Sequence, residues 1–535
     1  MHTHTRSIKD KVFEIWRSPG RFTKNPDIVR LPDGRLLLVY SDNDAHWSLE
    51  EQVLTVLASD DEGKHWTKLA EVDRADLRQG DERFVTPRLS LLSDGRLVIA
   101  IDHDDYGHFH EDQPPGNWLY WSSDGGDTWS GSHKSTITGF EPDRMMELPD
   151  GRLAVCSHLV RREAQEYAEI ISCSNDGGAN WYEQATIAHD GYHRFCEGAL
   201  VILDHGTRFA CVMRESHSGG FPSFVSFSED NAKTWTEPKM MPFAIHRPYA
   251  KQLPDGRVLV TGRNVNGGLG TYAWAGDLQA EAGTYAIGGP RTSYRAELSE
   301  EALIIRNTPG HECSYCLLPP ESSKSEVLFE AEIMIDGRQQ ETVAFLSVSK
   351  LVARSGPIIL SVAKDRITLT RDRPDLDRLE DFSRYRTLSI HHTGGLLQVK
   401  VDGKTLIQSA VFREENHVID HHGGRPDRRT MFGQFGESGV SYWKRVRYEV
   451  KNPTQPPFSF AWSATSGQWP DQYQRDRLIQ IHENYPDQKP GPDHGYSSWV
   501  FLNDSRIFLV DYTNCGDDPG KSHLVGAYID PEDIA

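Results

Sequence analysis

Short apolar runs come in pairs along this chain, each pair wrapped around a polar turn cluster. Asp27-Ile-Val-Arg-Leu precedes one cluster and Leu36-Leu-Leu-Val-Tyr follows it; between them stands Leu31-Pro32-Asp33-Gly34-Arg35-Leu36. Asp-Gly between two strand-like runs is the strongest short-range hairpin signal. The cluster returns at Leu92-Ser-Asp-Gly95-Arg-Leu97, Leu148-Pro-Asp-Gly151-Arg-Leu153 and Leu253-Pro-Asp-Gly256-Arg-Val258. Weaker copies are Leu203-Asp-His-Gly206 and Leu502-Asn-Asp-Ser505-Arg-Ile507. The five turn glycines stand 61, 56, 55 and 50 residues apart, and the sixth copy follows after a long gap.

A second cluster, Ser-x-Asp-x-Gly-x-x-Trp, follows a third apolar run in four of these periods. Its copies run from Ser59 to Trp66, Ser122 to Trp129, Ser174 to Trp181 and Ser228 to Trp235, the last with Ala232 in the glycine position. Ser and Asp side chains bond the turn backbone, glycine supplies a positive φ, and Trp packs between neighbouring sheets. Two hairpins per period make a four-stranded sheet, one blade of a propeller. The expected fold is all-β, a six-bladed β-propeller.

Between Gly256 and Asp504 the period breaks. Alternating strands without either cluster fill the gap, among them Val327-Leu-Phe-Glu-Ala-Glu-Ile-Met-Ile and Leu397-Gln-Val-Lys-Val. This texture predicts a β-sandwich over 294–450, inserted between blades five and six. Blades one to five then occupy 1–293. Residues 451–535 hold the Pro-rich return, Lys451 to Pro457, and blade six. The first strand, Val12-Phe-Glu-Ile-Trp16, is expected to join the last blade and close the ring.

Composition narrows the function. With 58 Lys+Arg against 78 Asp+Glu the net charge is −20, which disfavours nucleic acid as a partner. There is no 18-residue apolar run and no apolar leader after Met1, so neither a membrane span nor a secretory signal is expected. The seven cysteines (156, 173, 196, 211, 313, 316 and 515) are scattered and odd in number, which suits a reduced, cytoplasmic compartment unless a signal was removed. Cys313-Ser-Tyr-Cys316 lacks a second pair at zinc spacing and reads as ordinary thiols. No cofactor and no metal are expected.

Laying the repeats over one another separates architecture from chemistry. Nine residues before the turn glycine, near the start of each innermost strand, stand Asn25, Thr86, Glu197, Arg247 and Tyr496; Glu141 joins them if blade three carries one extra residue. After the turn, at the exit of the second strand, stand Ser41, Asp102, His158, Arg214, Arg263 and Tyr512. A purely structural position would repeat apolar or small residues. Twelve mostly polar, unlike residues instead describe an asymmetric pocket at one end of the propeller.

The Ser-x-Asp-x-Gly-x-x-Trp cluster is the Asp box, and four copies in a six-unit array resemble the sialidase (neuraminidase) superfamily over roughly 12–290 and 455–535. The inserted stretch resembles a concanavalin A-like (laminin G type) module. The resemblance implies that Tyr496, in His494-Gly-Tyr496-Ser-Ser-Trp, is a nucleophile activated by Glu197. It also implies that Arg214 belongs to a carboxylate-binding arginine set, with Arg247 and Arg263 beside it. A neutral Tyr-Glu pair suits a glycoside whose anomeric cation forms beside its own carboxylate, and arginines grip that carboxylate through bidentate bonds. Lys24, His158, Glu141, Asp102 and Tyr512 complete the expected substrate-binding set. The sequence departs from the superfamily where Lys24-Asn25-Pro26 replaces its first-blade Arg-Ile-Pro. For the acid/base the loop after blade one offers Asp44 first, then Asp42 and Glu50; the neighbouring loop Asp102-His103-Asp104-Asp105-Tyr-Gly-His108 offers an acid/base or a cation site. The implied activity is an exo-acting, retaining glycosidase that releases a terminal acidic sugar from an oligosaccharide or glycoconjugate. Two alternatives stay open: a propeller lyase acting on a uronate through His158, Tyr496 and Arg247, and a non-catalytic carbohydrate-binding protein.

Overall fold

In a computed structural model, residues 6–535 are described apart from 105–116, 162–165, 217–221, 267, 293–294, 308–311, 340, 350, 352–356, 372, 411–429, 436–438, 485–491 and 516–519. Six antiparallel sheets stand around one axis. Their innermost strands are Phe22–Arg30, Arg88–Leu91, Met146–Glu147, Phe195–Leu203, Ile245–Gln252 and Ser498–Phe501. The turn clusters set this architecture. In five of the six hairpins a leucine N–H donates across the turn, as in Leu31 to the Arg35 oxygen at 2.8 Å, and the aspartate accepts the backbone N–H two residues on; in four of them the leucine carbonyl also accepts the turn glycine's N–H. The turn glycines sit at φ between 85° and 98° in four of these hairpins, and Ser505 takes φ 70° in the fifth. In blade four, Asp204, His205 and Gly206 are all at positive φ, a tighter turn that accounts for its weak signature.

The Trp-ended clusters repeat one hydrogen-bond pattern four times. Ser59 donates to Asp61, Gly63 N–H donates to Ser59, His65 N–H donates to Asp61, and the Trp66 indole donates to the Gly63 carbonyl, all at 2.9 Å. The copies ending at Trp129, Trp181 and Trp235 keep each bond. Pinned this way, each indole fills the wedge between its own blade and the one before it. Trp66 stacks on Phe508 of blade six, 6.2 Å between centroids.

Carboxylates on the axis tie blade to blade. Asp27 accepts Leu89 N–H at 2.8 Å, Asp102 accepts Glu141 N–H at 3.0 Å, Asp143 accepts Leu200 N–H at 3.0 Å and Glu197 accepts Arg247 N–H at 2.9 Å. Every junction from blade one to blade five is thus spanned by a bond to a carboxyl group, donated in three of the four by an innermost strand. Val12–Trp16 pairs antiparallel with His523–Ile529 as the outermost strand of blade six and closes the ring.

The insertion enters one strand earlier than the sequence suggests. Blade five takes its outermost strand, Leu478–Glu483, from beyond the insertion, so the inserted chain interrupts the blade rather than the junction after it. Outer strands carry no turn signature, so the repeat did not mark this one. The insertion's strands run from Gly288–Thr292 to Phe458–Ser463, forming seven- and eight-stranded sheets around a shared aromatic core of Phe329, Phe432, Trp443 and Tyr448. The Pro-rich 452–457 is a connection inside it, because Phe458–Ser463 still pairs with Gly439–Lys451. Cys313 and Cys316 lie on one strand, Glu312–Leu317, three residues apart; period two sends their sulfurs to opposite faces, and they enter different apolar clusters. No disulfide joins any of the seven cysteines.

Candidate active site

Four of the six aligned positions before the turn share a backbone peculiarity. Asn25, Glu141, Glu197 and Arg247 have φ of 55°, 44°, 50° and 47°, a conformation rare for residues with a Cβ. In blades one, four and five the ladder slips at this place, between Lys24 and Asp27, Cys196 and Ala199, and His246 and Tyr249. A bulge here re-aims one side chain from each strand. The sequence makes the bulges inexpensive. Asn25, Glu141 and Arg247 each precede proline, which has no N–H to leave unpaired, and Glu197 precedes Gly198. A Cβ on Gly198 would stand 2.4 Å from the Glu169 carboxylate and 2.8 Å from the Cys211 sulfur, so only glycine fits.

Glu197, 2% exposed, is the hub. Its Oε1 accepts from Arg214 Nη1 at 2.6 Å and from the Tyr496 hydroxyl at 3.1 Å, while Oε2 takes the Arg247 N–H. Burial alone would raise its pKa, but the Arg214 and Arg247 guanidinium groups overcome this and hold it well below the usual carboxylate range. Tyr496 is driven the other way by burial and then by the Glu197 and Glu141 carboxyls, so the phenol keeps its proton. Burial, then the nearby Glu197 charge, pushes the Glu141 carboxyl up to about 8.

A second cluster flanks the tyrosine. Arg263 Nη2 donates to Asp493 at 3.0 Å and to the Tyr512 hydroxyl at 3.2 Å, and Tyr512 donates to Asp493 at 2.6 Å. The Arg263 guanidinium lies 5.2 Å from the centre of the Tyr496 ring. His46 also meets Asp493, and these partners hold the aspartate ionised against its burial. Asp493 escaped sequence reasoning because it stands three residues before Tyr496, off the aligned position. His46 follows blade one's second strand by three residues and was missed for the same reason.

The predicted residues divide by exposure. Glu141, His158, Arg214, Arg263 and Tyr496 are half-buried and open to the funnel. His158 stacks on Phe140, and burial brings its imidazole down to about 4, so it is neutral. Four others are sealed and act as supports. Arg247, 0% exposed, spends both terminal nitrogens on the Glu141 and Pro142 carbonyls, at 3.0 and 3.1 Å. Asp102 holds the N–H of Glu141, and Tyr512 holds Asp493. Lys24 donates to the His46 carbonyl at 2.6 Å, and burial brings its ammonium down to about 8. It offers no replacement for a first-blade arginine at the pocket surface.

The acid/base expectations fare differently. Asp44 is turned into its own loop, where Ser48 and the N–H groups of Leu49 and Glu50 bond its carboxylate. Asp42 is committed to Arg21 and Ser18, and Glu50 is exposed. In the neighbouring loop His103 stacks on Trp118, and positions from Asp105 to His108 lie outside the described residues. Among the described residues, one trio has metal-ligand spacing: Cys156, Glu169 and Cys211, buried between blades three and four with ligand atoms within 4.8 Å of one another.

A six-bladed ring with one polar, ionisable end defines the class. The family model for a BNR repeat-like domain matches residues 3–142 and 116–315, and the chain belongs to that family, as the reading of a sialidase-like repeat propeller requires. No curated protein matches the chain. Among solved structures it is similar to a protein of unknown function from Dyadobacter fermentans, at 19% identity and a TM-score of 0.45 over 58% of this chain and 94% of that one. It is also similar to a Trypanosoma rangeli sialidase (12%, 0.36, covering 88% and 97%) and to a xylan β-1,4-xylosidase from Bacillus halodurans (12%, 0.33, covering 81% and 99%).

Proposed function

We propose that the chain is an exo-acting glycoside hydrolase that releases a terminal acidic sugar with retention of configuration. The observation that carries this reading is the bond from the Tyr496 hydroxyl to Glu197 Oε1 at 3.1 Å. A phenol that keeps its own proton is a weak nucleophile, and an ionised carboxylate at hydrogen-bond distance is the base that activates it. An acidic sugar is supported by Arg214 and Arg263. Both are half-buried and held in place by a carboxylate; Arg214 commits only Nη1 to Glu197, while Arg263, whose Nε is bonded to the His494 carbonyl and Nη2 to Asp493 and Tyr512, keeps Nη1 for an anion. The lyase alternative loses support because Arg247, which it needed for the uronate, is spent on backbone carbonyls. The inserted two-sheet module we read as concanavalin A-like.

The test is a screen of aryl glycosides that includes sialosides, ulosonates and uronides, run with the wild-type chain and Tyr496→Phe. Release of free phenol and reducing sugar by the wild type, lost in the variant, is the expected result. Wild-type turnover in Tyr496→Phe on the same substrate rejects the reading.

A further inference from the structure

We propose that Cys156, Glu169 and Cys211 form a structural zinc site, buried between blades three and four and completed by the Gly198 carbonyl. Each of the three side chains offers one ligand atom, and these atoms lie within 4.8 Å of one another. All three residues are 0% exposed.

Four strands bring the donors together. Cys156 lies on Leu153–Arg161 and Glu169 on Glu166–Ser174, antiparallel neighbours in blade three. Cys211 lies on Arg208–Glu215 and Gly198 on Phe195–Leu203, neighbours in blade four. Glu169 pairs with His158, two residues from Cys156, so both donors of blade three share one face of its sheet. The Gly198 peptide meets that face with both of its polar groups. Its N–H donates to Glu169 Oε1 at 3.2 Å, and its carbonyl lies 3.3 Å from Cys156 Sγ. Cys211 closes the cluster, because a Cβ on Gly198 would stand 2.8 Å from its sulfur. No ligand spacing marks these residues in the chain, since they come from separate strands of two blades.

The donor set selects the ion. Two sulfurs, a carboxylate oxygen and a carbonyl oxygen make four ligands, the number a closed zinc site takes. Zn–S bonds of about 2.3 Å and Zn–O bonds of about 2.1 Å put ligand atoms roughly 3.5–3.8 Å apart along tetrahedral edges. The cluster therefore has to close only slightly to grip the ion. Magnesium and calcium take oxygen ligands and suit the two sulfurs poorly. The wedge also holds a demand that a cation meets. Glu169 Oε2 is buried without a hydrogen-bond partner among the described residues. Cys156 and Cys211 belong to an apolar cluster with Ile171, Phe195 and Leu200, where an unpaired carboxylate oxygen is costly. On binding, each thiol gives its proton to solvent as its Zn–S bond forms, and no oxidation state changes. With every ligand side chain sealed, no position is open to substrate, so the ion is structural and is taken up as blades three and four fold together. Gly198 directly follows Glu197, which sets the ion behind the bulge that aims the hub carboxylate.

The test is the metal content of the full chain, refolded from urea with zinc and freed of excess by gel filtration. We expect about one zinc per chain in the wild type and in Cys515→Ser, whose sulfur lies outside the site, and less than about a tenth of that in Cys156→Ala and Cys211→Ala. Glu169→Gln, which keeps both thiols, should bind zinc at least about tenfold more weakly in competition with a chelator. Should the variants fail to fold, the wild type decides the matter alone. Refolded with cobalt(II) in place of zinc, it should show a thiolate-to-metal charge-transfer band in the near ultraviolet and the intense visible bands of a tetrahedral ion. A folded wild type without metal overturns the proposal, as does a cobalt spectrum lacking the thiolate band. Zinc retained in full by Cys156→Ala, or a Cys156–Cys211 disulfide found by peptide mass spectrometry, also overturns it.

Discussion

Tyr496 and Glu197 lie 299 residues apart in the chain and meet across the funnel, blade six to blade four, at 3.1 Å. Glu197 is brought there by a bulge, Tyr496 by the strand that the inserted module displaces to the end of the chain. The same carboxylate bonds Arg214, so three blades' worth of chemistry depends on one side chain.

Arg247, at the aligned position before its turn, and Arg214, at the one after its turn, should respond differently to replacement. Arg247→Lys takes a donor from at least one of two buried carbonyls, and lysine cannot reproduce the fork. It should lower folding stability by about 2–4 kcal/mol, measured by urea unfolding. Arg214→Lys should leave the unfolding midpoint closer to wild type and raise KM for an anionic glycoside about tenfold or more.

Stability should depend on pH through Glu141. The folded carboxyl titrates at about 8, against about 4.3 in an unfolded chain. The fold therefore keeps a proton that the unfolded chain releases. The stability it contributes is fully present below the unfolded value and is lost as pH rises through 8. Glu141→Gln, neutral at every pH, removes that slope. The stability of the variant relative to wild type should rise between pH 5 and 8.5, followed by denaturant midpoints across that range.

The blade wedges should be unforgiving. A Cβ on Gly63 would lie 2.5 Å from the Phe508 ring, at φ +89°. Gly63→Ala should cost about 2–4 kcal/mol, since both strain and overpacking act. Gly20, at φ +70° with nothing within 4 Å, supplies the comparison: Gly20→Ala should cost only about 1 kcal/mol. Thermal unfolding of the two variants measures the difference.

The repeat was legible because its physics is local. Asp-Gly turns need a positive φ within a few residues, and Ser-x-Asp-x-Gly-x-x-Trp closes its own hydrogen bonds within eight. Six blades follow from counting such turns. The site positions were legible because they break the repeat at equivalent places, and the prolines after Asn25, Glu141 and Arg247 carried a further signal, the bulge, that went unused. Partners were not legible. Position alone cannot say that Arg247 spends its guanidinium on backbone while Arg214 keeps an open face, because that depends on which blade stands beside it. Asp493 and His46, off the aligned register, had no repeat to single them out.

The most direct measurement is covalent. Incubating the protein with a fluorinated glycosyl fluoride of its best substrate sugar slows the second step and accumulates the intermediate, which peptide mass spectrometry then locates. The account predicts one glycosyl group on the peptide bearing Tyr496 and none in Tyr496→Phe. A label on Glu197 or Glu141, or an unlabelled Tyr496 in protein that the reagent has inactivated, would contradict it.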